Sequence, residues 1–156
     1  HLELNTQTQL RLLEDIKPSL PFDLSLIFKP HPARSLRAED YPGLELQVVS
    51  QPIEELLTEC HIAYTSSITS AAVDAYIYGM PIISILDGKS LNLSPLRGYS
   101  DVFFVSSAVQ LIQARTSIMT APPKSDTVQE FFTLDVDLPR WQKLLKDPES
   151  FSNHYN

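Results

Sequence analysis

The chain has 156 residues, a length that suits one globular domain with a sizeable core. Hydrophobic residues make up 43% and charged residues 20%, and no apolar run approaches the roughly 20 residues of a membrane-spanning helix. The formal net charge of −7 argues against a nucleic-acid or anionic-membrane partner, since either would require a broad basic face. The single cysteine, Cys60, fits a reducing compartment, and we expect a cytoplasmic protein.

Helical and strand patterns alternate along the chain. Residues 5–17 place several leucines near one helical face and end at Pro18, which predicts a first helix. Short apolar runs bounded by turn residues predict buried strands at 24–28, 44–49, 61–64, 81–86 and 102–105. Further helices are predicted at 52–59, at 68–78 with Gly79 as its C-cap, and from Ser106/Ser107 to Ala114. This order predicts an α/β fold, a Rossmann-like parallel sheet with helices on both faces.

The C-terminal part of the sequence is predicted to be a loop followed by a helical tail. Residues 116–130 are polar and contain prolines, which is typical of a loop. Within the tail, 131–156, residues 138–146 have the pattern of a terminal helix, which we expect to return and pack on the domain.

Three loops are predicted at the carboxyl ends of strands, where open parallel sheets bind their ligands. They are 29–32, 65–67 and 87–89. The turn Thr65-Ser66-Ser67 offers hydroxyls and backbone N–H groups ahead of a helix, an arrangement that favours a phosphate. The alternative is that one of these serines only caps its helix.

His31 lies between Pro30 and Pro32, in a stiff loop directly after the first predicted strand. An imidazole can donate to a phosphate oxygen or protonate a departing phosphate, and Lys29 adds positive charge beside it. A purely structural histidine is the alternative. For residues 87–89 a plain turn is favoured, because Asp-Gly suits turns.

Several other sites are excluded or disfavoured. The chain has four glycines and none stands in a dinucleotide-binding or Walker pattern, which counts against NAD or ATP. A serine-hydrolase elbow would need a GxSxG sequence, which is absent. Histidine, cysteine and aspartate are not spaced as metal ligands, so we expect neither a bound metal nor a resident cofactor.

Three segments together resemble the C-terminal domain of GT-B-fold glycosyltransferases. They are residues 28–32 (FKPHP), 63–75 (AYTSSITSAAVDA) and 79–83 (GMPII). The likeness is strongest to bacterial surface-carbohydrate and capsular-polysaccharide biosynthesis proteins, a set that includes users of CMP-activated sugars. Residues 131–135 and 138–141 also resemble a C-terminal element of that group. The resemblance implies that the chain is one half of a GT-B fold.

In such proteins the histidine and the serine pair contact the nucleotide phosphate, which the resemblance implies for His31, Ser66 and Ser67. Many of them also carry an acidic residue that holds the ribose; Asp74 is the nearest match here, although a carboxylate on the helix surface is an equal alternative. Thr65 and Lys29 complete the predicted donor site.

The implied function is binding of a nucleotide sugar as substrate, with CMP-sugars favoured. The resemblance also implies a second, N-terminal domain for the acceptor, and the sequence opens at His1 without a methionine, so we expect a C-terminal piece of a longer protein. Alone, the domain should bind without turnover. The alternatives are a sugar-nucleotide epimerase, a glycerophosphotransferase, or a non-catalytic binding or scaffold module.

Overall fold

The computed structural model describes residues 2–21, 24–31, 37–67, 69–89, 91–121 and 137–146. Helices and strands alternate through most of it. The order is α1 (Leu2–Ile16), β1 (Leu26–Phe28), β2 (Leu46–Val48), α2 (Ile53–Leu57), β3 (Ala63–Ser66), α3 (Ala71–Ile77), β4 (Ile82–Ile85), β5 (Val102–Val105), α4 (Ala108–Thr120) and α5 (Pro139–Lys146). Two short 3-10 helices lie at Lys17–Ser19 and Ala38–Asp40.

The described strands form two parallel sheets. One contains β1 and β2, and the other has the order β3-β4-β5. All of their pairings are parallel, which confirms the predicted α/β class. The described strands agree with the predicted Rossmann-like α/β fold and lie in two small sheets. Strand patterns locate apolar runs and carry no information on which runs share hydrogen bonds, so the division into two sheets does not follow from them.

The three-stranded sheet carries helices on both faces, as predicted. Strand β4 is buried along its whole length, and its side chains alternate between the two faces. One face packs against α2 and α3 through a cluster that includes Leu57, Ala72, Ala75, Tyr76, Ile82 and Val102. The other packs against α1 and α4 through Ile16, Ile83, Ile85, Val105, Leu111 and Ala114. The core therefore lies around β4.

Helix α3 begins later than its sequence indicates. The prediction of a helix is wrong for residues 69 and 70, because β3 continues to Ser66, which pairs with Ile85 of β4, and the helix starts only at Ala71. Residue 68 lies outside the described residues. The end of α3 is as predicted: Gly79 has φ +83°, its N–H donates to the Tyr76 carbonyl, and the Met80 N–H donates to the Ala75 carbonyl. These two bonds form a Schellman motif.

Helix α4 continues beyond its predicted end at Ala114 to Thr120, so the prediction of a loop is wrong for residues 116–120. The Thr116 and Thr120 hydroxyls donate to the carbonyls of Ile112 and Thr116, four residues earlier. Because these polar side chains bond within the helix, they do not interrupt it. Residues 122–130 lie outside the described residues.

Helix α5 confirms the terminal helix predicted near residues 138–146. Its described side chains are exposed, with Trp141 at 60% and Leu145 at 79%, so these two do not pack on the domain as expected. Residues 131–136 and 147–156 of the predicted tail lie outside the described residues. Across the part of the chain that the structure describes, no helix combines the length and apolar composition of a bilayer crossing.

Candidate functional site

The carboxyl ends of β1 and β2 are tied together by Lys29. This exposed side chain follows β1, and its Nζ donates to the backbone carbonyls of Ser50, at 3.5 Å, and of Gln51, both after β2. His31 stands two residues further on and is exposed. The edge thus carries an exposed histidine two residues from a lysine whose ammonium group bonds to backbone oxygens.

The predicted turn 65–67 is divided between two faces of the sheet. Ala63 packs in the cluster under α3, whereas Tyr64 packs in the cluster on the α1 side. By strand alternation, Thr65 faces α3 and Ser66 faces α1, while Ser67 lies in the turn beyond the strand. The three hydroxyls therefore do not form one patch.

Ser66 lines a narrow groove at the carboxyl ends of β3 and β4, beside α1. Its other lining residues are Thr8, Gln9, Ile85 and Asp87, and the groove encloses no cavity the size of a water molecule. The Asp87 carboxylate accepts the Lys89 N–H at 2.9 Å, and Gly88 has φ +69°. This geometry favours the plain turn over a loop that reaches for a ligand.

The first turn of α3 already has several internal hydrogen bonds. The Ala71 N–H donates to the Thr69 hydroxyl at 3.3 Å, and the N–H groups of Val73 and Asp74 both donate to the Ser70 carbonyl. An anion at this end would thus meet fewer free donors than an uncapped helix offers. The Asp74 side chain is exposed, on the opposite side of α3 from Ala72 and Ala75.

Two groups of predicted site residues emerge from this arrangement. Lys29 and His31 follow a strand of the two-stranded sheet, whereas Thr65, Ser66 and Ser67 end a strand of the three-stranded sheet.

The sequence did not single out Thr8 and Gln9, because nothing in a surface helix indicates which strand end it will adjoin. Ser84 was also missed, although a lone hydroxyl within an apolar run was a usable signal.

Tyr64 joins α1 to β3 and is unsuited to proton transfer. Its hydroxyl donates to the Gln9 carbonyl at 2.9 Å, and burial raises the pKa of the phenol far above its usual range.

Burial, reinforced by the neighbouring Glu59, also raises the pKa of the Cys60 thiol. Because a thiol must ionise to act as a nucleophile, Cys60 is poorly suited to that role.

Within the described ranges, no three histidine, cysteine, aspartate or glutamate side chains are grouped as they would be to hold a metal ion.

Comparison of the chain with protein-family models, with curated proteins and with solved structures gives no match.

Proposed function

We propose that this chain is the donor-binding domain of a GT-B-type glycosyltransferase in surface polysaccharide synthesis, working in the cytoplasm on a nucleotide-activated sugar, with CMP-sugars favoured. One observation carries the proposal. His31 and Ser67 follow the carboxyl ends of the parallel strands β1 and β3, Ser66 is the last residue of β3, and their order and spacing are those of the resemblance described above.

In the proposed site the donor phosphate binds at the carboxyl edge near His31. The exposed imidazole donates a hydrogen bond to a phosphate oxygen and stabilises the negative charge that develops as the glycosidic bond to phosphate breaks. Ser67, in the turn after β3, adds a hydroxyl donor. Lys29 adds positive charge while it holds the β2–α2 segment, and Asp74 is the proposed ribose contact.

The proposal divides the reaction between two domains. This domain holds the donor, and a second domain supplies the acceptor and the base that activates it. Alone, the domain then binds nucleotide and transfers nothing.

Isothermal titration of the 156-residue chain with CMP, CDP, UDP and GDP tests the proposal. One nucleotide should bind, and a Ser66→Ala/Ser67→Ala variant should bind it about tenfold more weakly, because it loses the Ser67 hydroxyl donor to a charged group. Ser100→Ala is the matched control. This exposed serine lies in the turn before β5, at the opposite edge of the sheet, and its loss should leave the affinity unchanged.

Two results would contradict the proposal: no nucleotide binds at millimolar concentration, or the serine double variant and the control bind equally well. If a nucleotide binds as expected, a product assay on the longer protein separates sugar transfer from the epimerase and glycerophosphotransferase alternatives.

A further inference from the structure

Two buried hydroxyls on neighbouring strands beneath α3 have no hydrogen-bond partner among the described residues. They belong to Thr65 on β3 and Ser84 on β4, which are register partners in the parallel ladder and therefore face the same side of the sheet. Ser84 is 1% exposed, and neither oxygen forms a hydrogen bond with the part of the chain that the structure describes.

The surroundings of these hydroxyls offer no obvious substitute partner. Strand β4 is paired with β3 on one side and with β5 on the other, so the ladder occupies its backbone groups. The α3 face is apolar around them, with Ala72, Ala75 and Ile82 in its buried cluster and Phe104 opposite Ser84 on β5. Native proteins rarely leave buried hydroxyls without a bond, because each then loses its hydration and gains nothing.

We propose that one internal water molecule bridges the Thr65 and Ser84 hydroxyls beneath α3. A water molecule both donates and accepts, so it can satisfy two neighbouring hydroxyls that do not reach each other. The buried cluster on this face includes Ala72 and Ala75 of α3, whose side chains are small. The bridged pair holds the end of β3, and hence the 65–67 turn, against β4. The water site is independent of the proposed function.

A crystal structure at a resolution that shows ordered water tests the inference directly. We expect density for one water about 2.8 Å from both oxygens. The proposal is overturned if no density is present at this position, or if the two hydroxyls bond directly to each other.

Urea unfolding of the chain gives a second, independent test. Thr65→Val and Ser84→Ala should each lower the midpoint, by about 0.5 M, because each removes one partner of the water and leaves the other hydroxyl poorly satisfied. The double variant should lose little more than either single variant, since it removes the need for the water. If the losses from Thr65→Val and Ser84→Ala simply add in the double variant, the two hydroxyls do not share a water. A rise in the midpoint of either single variant also contradicts the proposal.

Thr58→Val combined with Ser84→Ala is the control cycle. The Thr58 hydroxyl is exposed and donates to the Glu55 carbonyl at the end of α2, so its removal should add to the effect of Ser84→Ala without coupling.

Discussion

Single side chains bind the described elements to one another at two points on the sheets. Lys29 joins the carboxyl ends of β1 and β2, and Tyr64 joins β3 to α1. From its sequence position, Lys29 is predicted only to supply positive charge near a phosphate. The contacts of its ammonium group with the Ser50 and Gln51 carbonyls depend on the path of the segment after β2, which no local sequence pattern specifies.

Replacement of Lys29 by methionine tests the structural part of its role. The variant loses the bonds to the Ser50 and Gln51 carbonyls and keeps the apolar stem, so we expect the free energy of unfolding to fall by about 1 kcal/mol. Lys89→Met, at an exposed turn, should change it by less than about 0.5 kcal/mol. Urea denaturation measures both, and equal values for the two variants would show that the Lys29 contacts contribute nothing to folding.

Tyr64 should make stability depend on pH in alkaline solution. Burial raises the pKa of the phenol above the value near 10 that it has when unfolded, so above about pH 10 only the unfolded chain releases this proton. The contribution of Tyr64 is therefore complete below pH 10 and is lost as the pH rises. We expect the free energy of unfolding of the native chain to decline more steeply between about pH 9 and 11 than that of Tyr64→Phe.

The comparison is made by urea unfolding at each pH. Tyr78→Phe, which alters an exposed tyrosine, is the matched control and should keep the native slope. Identical slopes for the native chain and Tyr64→Phe would contradict the link between burial and the raised pKa.

At the scale of elements, the sequence predicts which segments form helices and strands better than it predicts where they end. The serines after Tyr64 suggested a helix cap, but pairing with β4 extends β3 through Ser66. The polar end of α4 suggested a loop, but threonine hydroxyls bond back to the helix. In both cases hydrogen bonds outweigh a local preference. The end of α3 was predictable because Gly79 has a backbone role that few other residues fill.

Gly79→Ala tests that role. A Cβ at this position would meet no atom within 4 Å, so the cost comes only from the φ of +83°, and we expect a loss of about 1 kcal/mol. Gly43→Ala is the control, because no positive φ is needed there and the nearest atom to its Cβ would be the Glu14 carboxylate at 3.9 Å. A loss in Gly43→Ala as large as in Gly79→Ala would mean that backbone strain is not the cause.

At the scale of the molecule, alternation of apolar runs with helices was enough to predict parallel strands covered on both faces. It was not enough to predict that the described strands form two sheets, or that α1 lines a groove with Ser66. Those features arise from contacts between distant segments. The predicted donor site shows the same division: His31 and Ser67 follow strand ends, whereas Thr65 and Ser66 lie within β3, with Thr65 turned inward and Ser66 facing α1.

Nucleotide titration of two matched histidine variants tests the claim that His31 contacts the donor phosphate. His31 follows β1, whereas His61, also exposed, precedes β3 at the opposite edge of its sheet. Loss of a hydrogen bond to a charged phosphate predicts that His31→Ala binds the preferred nucleotide about tenfold to a hundredfold more weakly, while His61→Ala stays within about twofold of the native chain. Equal affinities in His31→Ala and the native chain would contradict the claim.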